Sequence, residues 1–404
     1  MNICLIRFSS KIYFRDNPPP FMLEFLKFCL NKNNIEVFIY DMWIKQREPD
    51  FSNYTHFIIE CPSYEYNALI KYAKENLEGK KMYSIGNFKP ENNIFLNHFK
   101  PFDTIIPLET FQCREPYRNY FADWNGYYSN PEKYYFLYPL KEISKVNWTF
   151  IPTGIGCPGK CRFCSGNIRK SAVSPIINRP VEKIINNILS IKKKQKFVVF
   201  EDDNFFRDKN FTLTLLNEII KRKIIIKWSA QVRADTICDK NTLDIIKNSG
   251  CVLLRIGAES FDAETLKYCN KGKKYSIYLN KCVKLLNKKK IPFVLLTISG
   301  LPQDLKTGYI KTLFNCLKSD AFIVQLHNFV PYEDSFFGKK FGVDFNSYHY
   351  SFKNKNYANY SNFFQITLFF IFYTLFFMKK LFNGDLYLYI RFFLKNRKNY
   401  FIFL

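Results

Sequence analysis

Residues 154–167 read GIGCPGKCRFCSGN, and this short stretch places Cys157, Cys161 and Cys164 close together with the spacing C-x3-C-x2-C. Glycines within the stretch allow the backbone to turn tightly, so thiolates this close in sequence can converge on one inorganic centre. The stretch follows WTFI (148–151), an apolar run that is typical of a buried strand. We therefore expect a metal-binding loop at the end of a strand.

The number of cysteines in this loop separates several kinds of site. Four cysteines saturate an iron–sulfur cluster and suit electron transfer, whereas three leave one iron with an open coordination position for a substrate or cofactor. A zinc-stabilised loop is the alternative, and it requires a distant fourth ligand. The histidines of the chain, at 56, 98, 327 and 349, all lie far from the loop in sequence, although His327 follows a predicted strand whose end could approach it.

From residue 148 onward, apolar runs alternate with helical patterns such as 181–194 and 242–250. The apolar runs lie at 148–151, 197–201, 224–231, 252–257, 293–299 and 321–326. Strands that are continuously apolar and separated by helices are typical of parallel sheets. Six such units predict a partial (β/α)6 TIM-like barrel at 148–340, in which ligands bind at the carboxyl ends of the strands.

The first 110 residues show the same alternation. The predicted strands lie at 3–8, 36–41, 56–61, 82–86 and 103–109, and the predicted helices at 18–34 and 66–79. This α/β pattern predicts a Rossmann-like doubly wound domain at 1–110, although the segment lacks G-x-G-x-x-G. The aromatic segment 111–147 is predicted to be a linker. Residues 341–404 are predicted to form a helical, aromatic-rich C-terminal tail.

The cysteine spacing, with the aromatic Phe163 before the third cysteine, resembles the signature of the radical S-adenosylmethionine (radical SAM) superfamily. Further segments resemble successive parts of its barrel: FEDDNFF (200–206), WSAQVRAD (228–235), GCVLLRIGAESFDAETLKYCNKG (250–272), ISGLPQD (298–304) and FVPYEDSFFG (329–338). The resemblance implies that the three cysteines bind a [4Fe-4S] cluster. It also implies an enzyme that cleaves S-adenosylmethionine reductively to methionine and a 5′-deoxyadenosyl radical.

The same resemblance implies roles for individual residues. Of the carboxylates at 201–203, Asp202 or Asp203 would hold the methionine ammonium. Arg233 would clamp a carboxylate, unless it pairs with the nearby Asp235. The remaining implied cofactor-binding residues are Phe163 beside the cluster, Glu259 and Ser260 at the ribose or amino acid, and Gly300 near adenine.

A doubly wound domain followed by a barrel resembles the cobalamin-binding branch of the superfamily. PPPFMLEFLKFCL (18–30) and DTIIPLE (103–109) resemble parts of its first domain. The D-x-H-x-x-G motif of that branch is absent, so cobalamin binding stays open. With cobalamin, the resemblance implies a C-methyltransferase; without it, the first domain would be a scaffold for another radical reaction. A non-catalytic iron–sulfur or zinc-stabilised scaffold or electron-transfer protein is the alternative.

The chain carries a net charge of +25, but lysine and arginine are spread along all segments, so we expect no nucleic-acid partner. The expected partners are a small-molecule substrate and an electron donor such as flavodoxin or ferredoxin. The first residues, MNICLIRFSS, lack the pattern of a secretion signal, so we expect a cytoplasmic protein with reduced cysteines.

The tail contains FFQITLFFIFYTLFFM (363–378), which is shorter than the ~20 residues that span a bilayer. Three interpretations stay open: a helix at the membrane interface, a helix buried against the barrel, and a membrane span. The first predicts peripheral membrane contact and would suit a lipid-like substrate.

Overall fold

The computed structural model describes residues 2–8, 23, 26–27, 30–31, 35–42, 48–60, 66–86, 104–107, 148–164, 176–190, 197–272, 274–332, 335–342 and 356–382. The chain divides into two compact units, Met1–Leu137 with Asp344–Tyr348, and Tyr138–Val343 with His349–Leu404. The predicted linker at 111–147 and the last part of the predicted tail, 383–404, lie outside the described residues.

The first unit contains five parallel strands in the order β2-β1-β3-β4-β5. These are β1 (Ile3–Arg7), β2 (Val37–Asp41), β3 (His56–Glu60), β4 (Lys81–Gly86) and β5 (Thr104–Pro107), with helix α1 (Tyr66–Asn76) between β3 and β4. Every residue of β1 is buried, because this strand lies inside the sheet. The order reverses at β1, and in open parallel sheets such a reversal creates a crevice at the carboxyl ends of the strands.

The second unit contains six parallel strands whose spatial order follows the chain, β6-β9-β10-β11-β12-β13. These are β6 (Trp148–Ile151), β9 (Phe197–Phe200), β10 (Lys227–Val232), β11 (Cys251–Glu259), β12 (Phe293–Ser299) and β13 (Ile323–Asn328). A short antiparallel pair, β7 (Gly154–Ile155) and β8 (Ile177–Asn178), follows β6 in the chain. Each predicted β–α unit thus contributes one strand, and the strands lie in the sheet in the order in which they occur in the sequence.

Helices connect these strands and follow the last one. They are α2 (Val181–Ser190), α3 (Lys209–Lys221), α4 (Ala234–Ile237), α5 (Lys240–Asn248), α6 (Ala263–Tyr268), α7 (Tyr275–Lys289), α8 (Lys306–Lys318), α9 (Phe336–Phe341) and α10 (Asn362–Phe382). The predicted helix at 242–250 begins earlier, at Lys240, because the Asp239 carboxylate accepts a hydrogen bond from the Thr242 N–H and caps the helix.

Side chains alternate between two faces of the six-stranded sheet. Trp228 lies on the face covered by helices, since its indole Nε1 donates to the Ser249 carbonyl, 3.1 Å away at the end of α5. Gln231 lies on the opposite face, in register with Arg255 of β11, and both are half-buried. We call these the helix face and the open face.

Helix α10 packs along the outer strand β13. The Tyr373 hydroxyl donates to the Val324 carbonyl at 3.0 Å and accepts from the Leu326 N–H at 3.4 Å. These two backbone groups belong to the last strand in the sheet order, where no further strand among the described residues pairs with them. Tyr373 therefore satisfies part of an exposed strand edge.

The helix is longer than the predicted apolar run at 363–378. It continues through Lys379, whose Nζ donates to the Leu317 carbonyl at 2.7 Å and pairs with Asp320 Oδ1 at 2.5 Å. Because Leu317 of α8 and Asp320, just after α8, bind this cation, the lysine does not end the helix. By length and composition, Asn362–Lys380 is the one described segment that could cross a membrane.

Candidate functional site

The cysteine loop follows β6 at the carboxyl edge of the six-stranded sheet. Cys161 is buried, whereas Cys157 and Cys164 are half-buried. A Cβ atom on Gly159 would lie 3.5 Å from the Cys157 sulfur and 3.7 Å from the Cys161 sulfur. The Cys164 N–H donates to the Cys161 carbonyl at 3.2 Å, which turns the chain back after the second cysteine. The glycine thus leaves a cradle beside two sulfurs.

The donor atoms of this loop suit an iron–sulfur cluster, because such clusters are held by cysteine thiolates and the loop offers three thiols within one glycine-containing turn. In the described part of the chain, no three side chains of His, Cys, Asp or Glu are already gathered around one point as a metal site.

Arg233, at the end of β10, contacts the cysteine loop. Its NH1 lies 3.6 Å from the Cys161 sulfur and 3.1 Å from the Cβ position of Gly159. Its other nitrogens pair bidentately with Asp235, at 3.0 and 2.7 Å. Burial opposes the charge of the guanidinium, but the hydrogen bonds that it donates to Asp235 and the charge of that carboxylate outweigh burial, so the pKa of Arg233 is raised. Of the two predicted roles, the structure contains the pairing with Asp235, and it also places the Arg233 cation beside the Cys161 sulfur.

Arg162 ties the loop to the end of helix α6. Its backbone N–H donates to the Cys269 carbonyl, and its side chain donates to the Tyr268 carbonyl, both at 2.9 Å. Phe163 packs against a cluster of apolar side chains at this edge, formed by Cys269, Leu301, Phe329 and Phe337. The structure therefore gives Phe163 a packing role that holds the cysteine turn against the sheet and keeps water from one side of it.

Asp202 lies directly after β9, with its side chain almost completely buried. Its Oδ1 accepts from the N–H groups of Thr153 and Gly154 at 3.0 Å, and its Oδ2 accepts from the Thr153 hydroxyl at 2.8 Å. Arg207 pairs with it at 3.0 Å. Burial raises the pKa of Asp202, although Arg207 and these hydrogen bonds favour the ionised form. Both oxygens thus hold the start of the cysteine loop.

The two carboxylates beside Asp202 are exposed instead. Because side chains alternate along the chain, Glu201 faces away from the Asp202 side, toward the open face, and Asp203 follows the strand end. The next residue, Asn204, is fully buried, and neither polar atom of its amide has a partner among the described residues. A buried amide without partners is uncommon, so it marks a place where a bound group could supply hydrogen bonds.

Glu259 and Lys271 form a buried ion pair at the end of β11, with Lys271 Nζ at 2.5 Å from Glu259 Oε1. Glu259 has a φ of +61°, a strained backbone conformation that is common at functional sites. A Cβ on Gly257 would lie 2.8 Å from Glu259 Oε1 and 3.0 Å from Lys271 Nζ, so a side chain at this position would push the ion pair aside. Burial disfavours the ammonium, but Glu259 outweighs it and raises the pKa of Lys271.

Lys271 and Tyr275 are two site residues that sequence reasoning missed. Lys271 also lies 4.8 Å from the centre of the Tyr275 ring. The Tyr275 hydroxyl donates to the Gly257 carbonyl at 2.6 Å and accepts from the Ala234 N–H at 3.1 Å. Burial raises the pKa of Tyr275 to about 12, so the phenol stays protonated and joins the start of α4 to β11. The only sequence signal was a lysine soon after the E-S pair.

The hydrogen bonds of Ser260 and Gly300 are made with other parts of the second unit and not with the cysteine cradle. The Ser260 hydroxyl bonds Thr312 at 3.0 Å and accepts from the Asp262 N–H at 3.0 Å, so it is occupied by the helix layer. Gly300 has a φ of +76°, which favours glycine, and its N–H donates to the Tyr360 hydroxyl at 2.9 Å.

The open face continues the site away from the loop. Its half-buried side chains come from four neighbouring strands, in register with one another: Gln231, Arg255, Leu296, Ile298, Gln325 and His327. The helix face of the same strands is almost wholly buried. The open face therefore combines polar and apolar side chains that a small molecule could contact.

The Radical SAM superfamily sequence model matches residues 151–307. Bacteriochlorophyllide d C-12(1)-methyltransferase from Chlorobaculum tepidum is 26% identical over 168 residues, which are 39% of this chain and 34% of that protein. The chain thus aligns with about a third of that relative.

Two solved structures are similar in fold. The radical SAM methyltransferase TsrM from Kitasatospora setae, solved with cobalamin and a [4Fe-4S] cluster bound, gives a TM-score of 0.60 at 12% identity, over 84% of this chain and 77% of TsrM. The cobalamin-dependent S-adenosylmethionine radical enzyme OxsB gives 0.51 at 17% identity, over 78% of this chain and 51% of OxsB. The match over residues 151–307 confirms the resemblance predicted from the cysteine spacing, and this segment of the chain is that of the Radical SAM superfamily.

Proposed function

We propose that this enzyme cleaves S-adenosylmethionine at a [4Fe-4S] cluster held by Cys157, Cys161 and Cys164 and uses the reaction to methylate a small molecule with the help of cobalamin. When bound, these cofactors supply an electron, a sulfonium carbon–sulfur bond that can be broken, and a carrier for the methyl group. The protein binds them, orients them and keeps water away.

The observation that carries this proposal is the combination of two parallel sheets in one chain. The first has the order β2-β1-β3-β4-β5, and the second carries the three-cysteine loop at its strand ends. We interpret them as a Rossmann-like, cobalamin-binding-like domain and a partial (β/α)6 barrel. The fold likeness to TsrM covers most of this chain and supports the pairing.

Charges around the loop suit S-adenosylmethionine. The cysteine loop has a cation beside it in Arg233, which would offset the negative charge of thiolates and sulfides. We propose that Glu259 and Lys271, which present an anion and a cation at one strand end, receive the amino and carboxylate groups of the methionine moiety. We assign Asp203, with Glu201, as further acceptors for the ammonium, since Asp202 is occupied by the loop.

The described residues that would hold cobalamin line a crevice in the first unit, and none of them is a histidine. The reversal of strand order at β1 opens a crevice at the carboxyl ends, where Arg7 and Asp41 pair at 3.5 Å. His56, the one described histidine of this unit, lies at the opposite end of its strand. The described residues at this crevice would hold cobalamin, and the bound cofactor would supply a carrier for the methyl group.

The substrate is proposed to be a small molecule that contacts the open face, with apolar area against Leu296 and Ile298 and polar groups against Gln231 and Arg255. A reductant such as flavodoxin or ferredoxin would supply the electron.

The test is anaerobic reconstitution with iron and sulfide, followed by S-adenosylmethionine and dithionite, with and without cobalamin. We expect 5′-deoxyadenosine or methylated cobalamin from the wild type and neither from Cys161→Ala. Retention of cobalamin by the purified protein is measured separately by its absorbance. A protein that loads iron but yields neither product with cobalamin present contradicts the proposal, and one that yields 5′-deoxyadenosine but never retains cobalamin contradicts the methyltransferase part alone.

A further inference from the structure

Helix α10 has two faces with different surroundings. One face is buried at Gln365, Phe372, Phe376 and Lys380, and Gln365 donates to the Ser299 hydroxyl at the end of β12. The other face is exposed and apolar over the length of the helix. Its exposed fractions are 80% for Phe363, 47% for Phe370, 48% for Ile371, 46% for Leu375 and 48% for Met378. The face is about 30 Å long at 1.5 Å per residue.

The two threonines on the exposed face donate their hydroxyl hydrogens to carbonyls of the helix itself and not to the surroundings. Thr367 donates to the Phe363 carbonyl at 2.8 Å, and Thr374 donates to the Phe370 carbonyl at 2.9 Å. No charged residue occurs between Ser361 and Met378. Helix faces that contact water usually carry polar and charged side chains. The lack of charged side chains on this face therefore indicates that it contacts an apolar environment.

Helix α8 extends this surface and adds positive charge. It runs beside α10 in the same direction, since Lys306 at its start lies 5.4 Å from the Phe364 ring and Leu317 near its end accepts from Lys379. Its own exposed apolar side chains are Ile310 and Phe314, and Lys318 lies 4.2 Å from the Phe314 ring. Lysines therefore border an apolar surface at both of its ends.

We propose that the exposed faces of α8 and α10 bind the surface of an anionic lipid bilayer. Aromatic and aliphatic side chains would enter the boundary between headgroups and acyl chains, while Lys306 and Lys318 meet lipid phosphates. Hydrogen bonds from Gln365 and Tyr373 to the last two strands, and from Lys379 to α8, keep α10 attached to the enzyme, so the helix lies on the membrane and does not cross it. This inference does not depend on the reaction that is catalysed.

The experiment is sedimentation of the full chain with vesicles of pure phosphatidylcholine or of phosphatidylcholine with phosphatidylglycerol. We expect binding to the anionic vesicles that weakens as salt is added, because exposed charges are screened. The double variant Ile371→Ser/Leu375→Ser should bind about tenfold or more weakly, since each lost aliphatic side chain removes apolar contact with lipid. Lys306→Ala/Lys318→Ala should lose the preference for anionic vesicles.

The matched control is Ile225→Ser/Ile277→Ser, which changes two isoleucines that are 78% and 63% exposed elsewhere on the same unit. It should bind like the wild type, and thermal unfolding should show that both double variants are folded. Equal binding by the α10 variant and the control would overturn the proposal. A wild type that binds no vesicles would also overturn the proposal. If that wild type is a dimer and Ile371→Ser/Leu375→Ser is a monomer, the exposed face of α10 binds a second copy of the chain and not a membrane.

Discussion

The hydroxyl of Tyr360 donates to Asp304 Oδ2 at 3.1 Å while it accepts the Gly300 N–H at 2.9 Å. Tyr360 lies beyond the segment that the superfamily model matches, which ends at 307, whereas Gly300 and Asp304 lie within it. Asp304 Oδ1 also accepts from the Thr265 hydroxyl at 2.9 Å. A residue of the C-terminal segment thus holds the turn after β12, at the same edge of the sheet as the cysteine loop.

We expect Tyr360→Phe to destabilise the protein by about 1–2 kcal/mol, because the Gly300 N–H and one Asp304 oxygen lose their partner. It should also weaken S-adenosylmethionine binding, since the turn at Gly300 would move more freely. Denaturant unfolding and equilibrium binding to the cluster-loaded enzyme measure the two effects. Tyr278→Phe, on the partly exposed surface of α7, is the control and should change neither. A Tyr360→Phe protein with unchanged stability would show that this bridge is weak.

The buried Asp304 predicts a pH dependence of stability. Burial raises the pKa of Asp304 from 3.8 to about 6, against the opposing effect of its hydrogen bonds. A group with a raised pKa in the folded state contributes stability below pH 3.8, and this contribution is lost as the pH rises through about 6. The contribution is at most about 3 kcal/mol.

Asp304→Asn should therefore reduce the change in unfolding free energy between pH 4 and pH 7, because its side chain does not titrate. Unfolding curves of wild type and variant across this range test the sign. If the wild type gained stability from this group on going to higher pH, relative to the variant, the assigned pKa shift would be wrong.

Gly159→Ala tests the cradle beside the cysteines. The new methyl group would occupy space 3.5 and 3.7 Å from two sulfurs and 3.1 Å from Arg233 NH1. We expect a folded protein with several-fold less iron after reconstitution, since the methyl competes with a cluster for the same space. Iron and sulfide assays measure the loading. Lys160→Ala, in the same loop with an exposed side chain, should load normally, and equal loading of the two variants would place the cluster elsewhere.

The Glu259–Lys271 pair should be strongly coupled. Lys271→Met leaves a buried carboxylate without its partner, and we expect a loss of roughly 3–5 kcal/mol. The double variant Glu259→Gln/Lys271→Met should lose clearly less than the two single variants together, because no lone charge stays buried. Unfolding in denaturant measures all three. Lys267→Met, from an exposed pair with Glu264, should change stability by less than about 0.5 kcal/mol.

The sequence by itself determined the superfamily and the order of strands in the second unit. Both conclusions depend on local features, namely the spacing of the cysteines and six apolar runs separated by helical patterns. Local features can be recognised in the sequence without knowledge of distant contacts. The family match and the sequential sheet agree with both. It also indicated that carboxylates follow β9 and that Glu259 lies at the end of β11.

Only the tertiary structure decided what each of these side chains contacts. Asp202 and Asp203 are neighbours in sequence, yet one is buried against Thr153 and Arg207 and the other is exposed, because alternate residues at a strand end point in opposite directions. Lys271 reaches Glu259 across twelve residues, and Tyr360 reaches Gly300 across sixty. Periodicity along a chain reports which residues are buried, but a contact between distant segments depends on how the sheet and its helices pack.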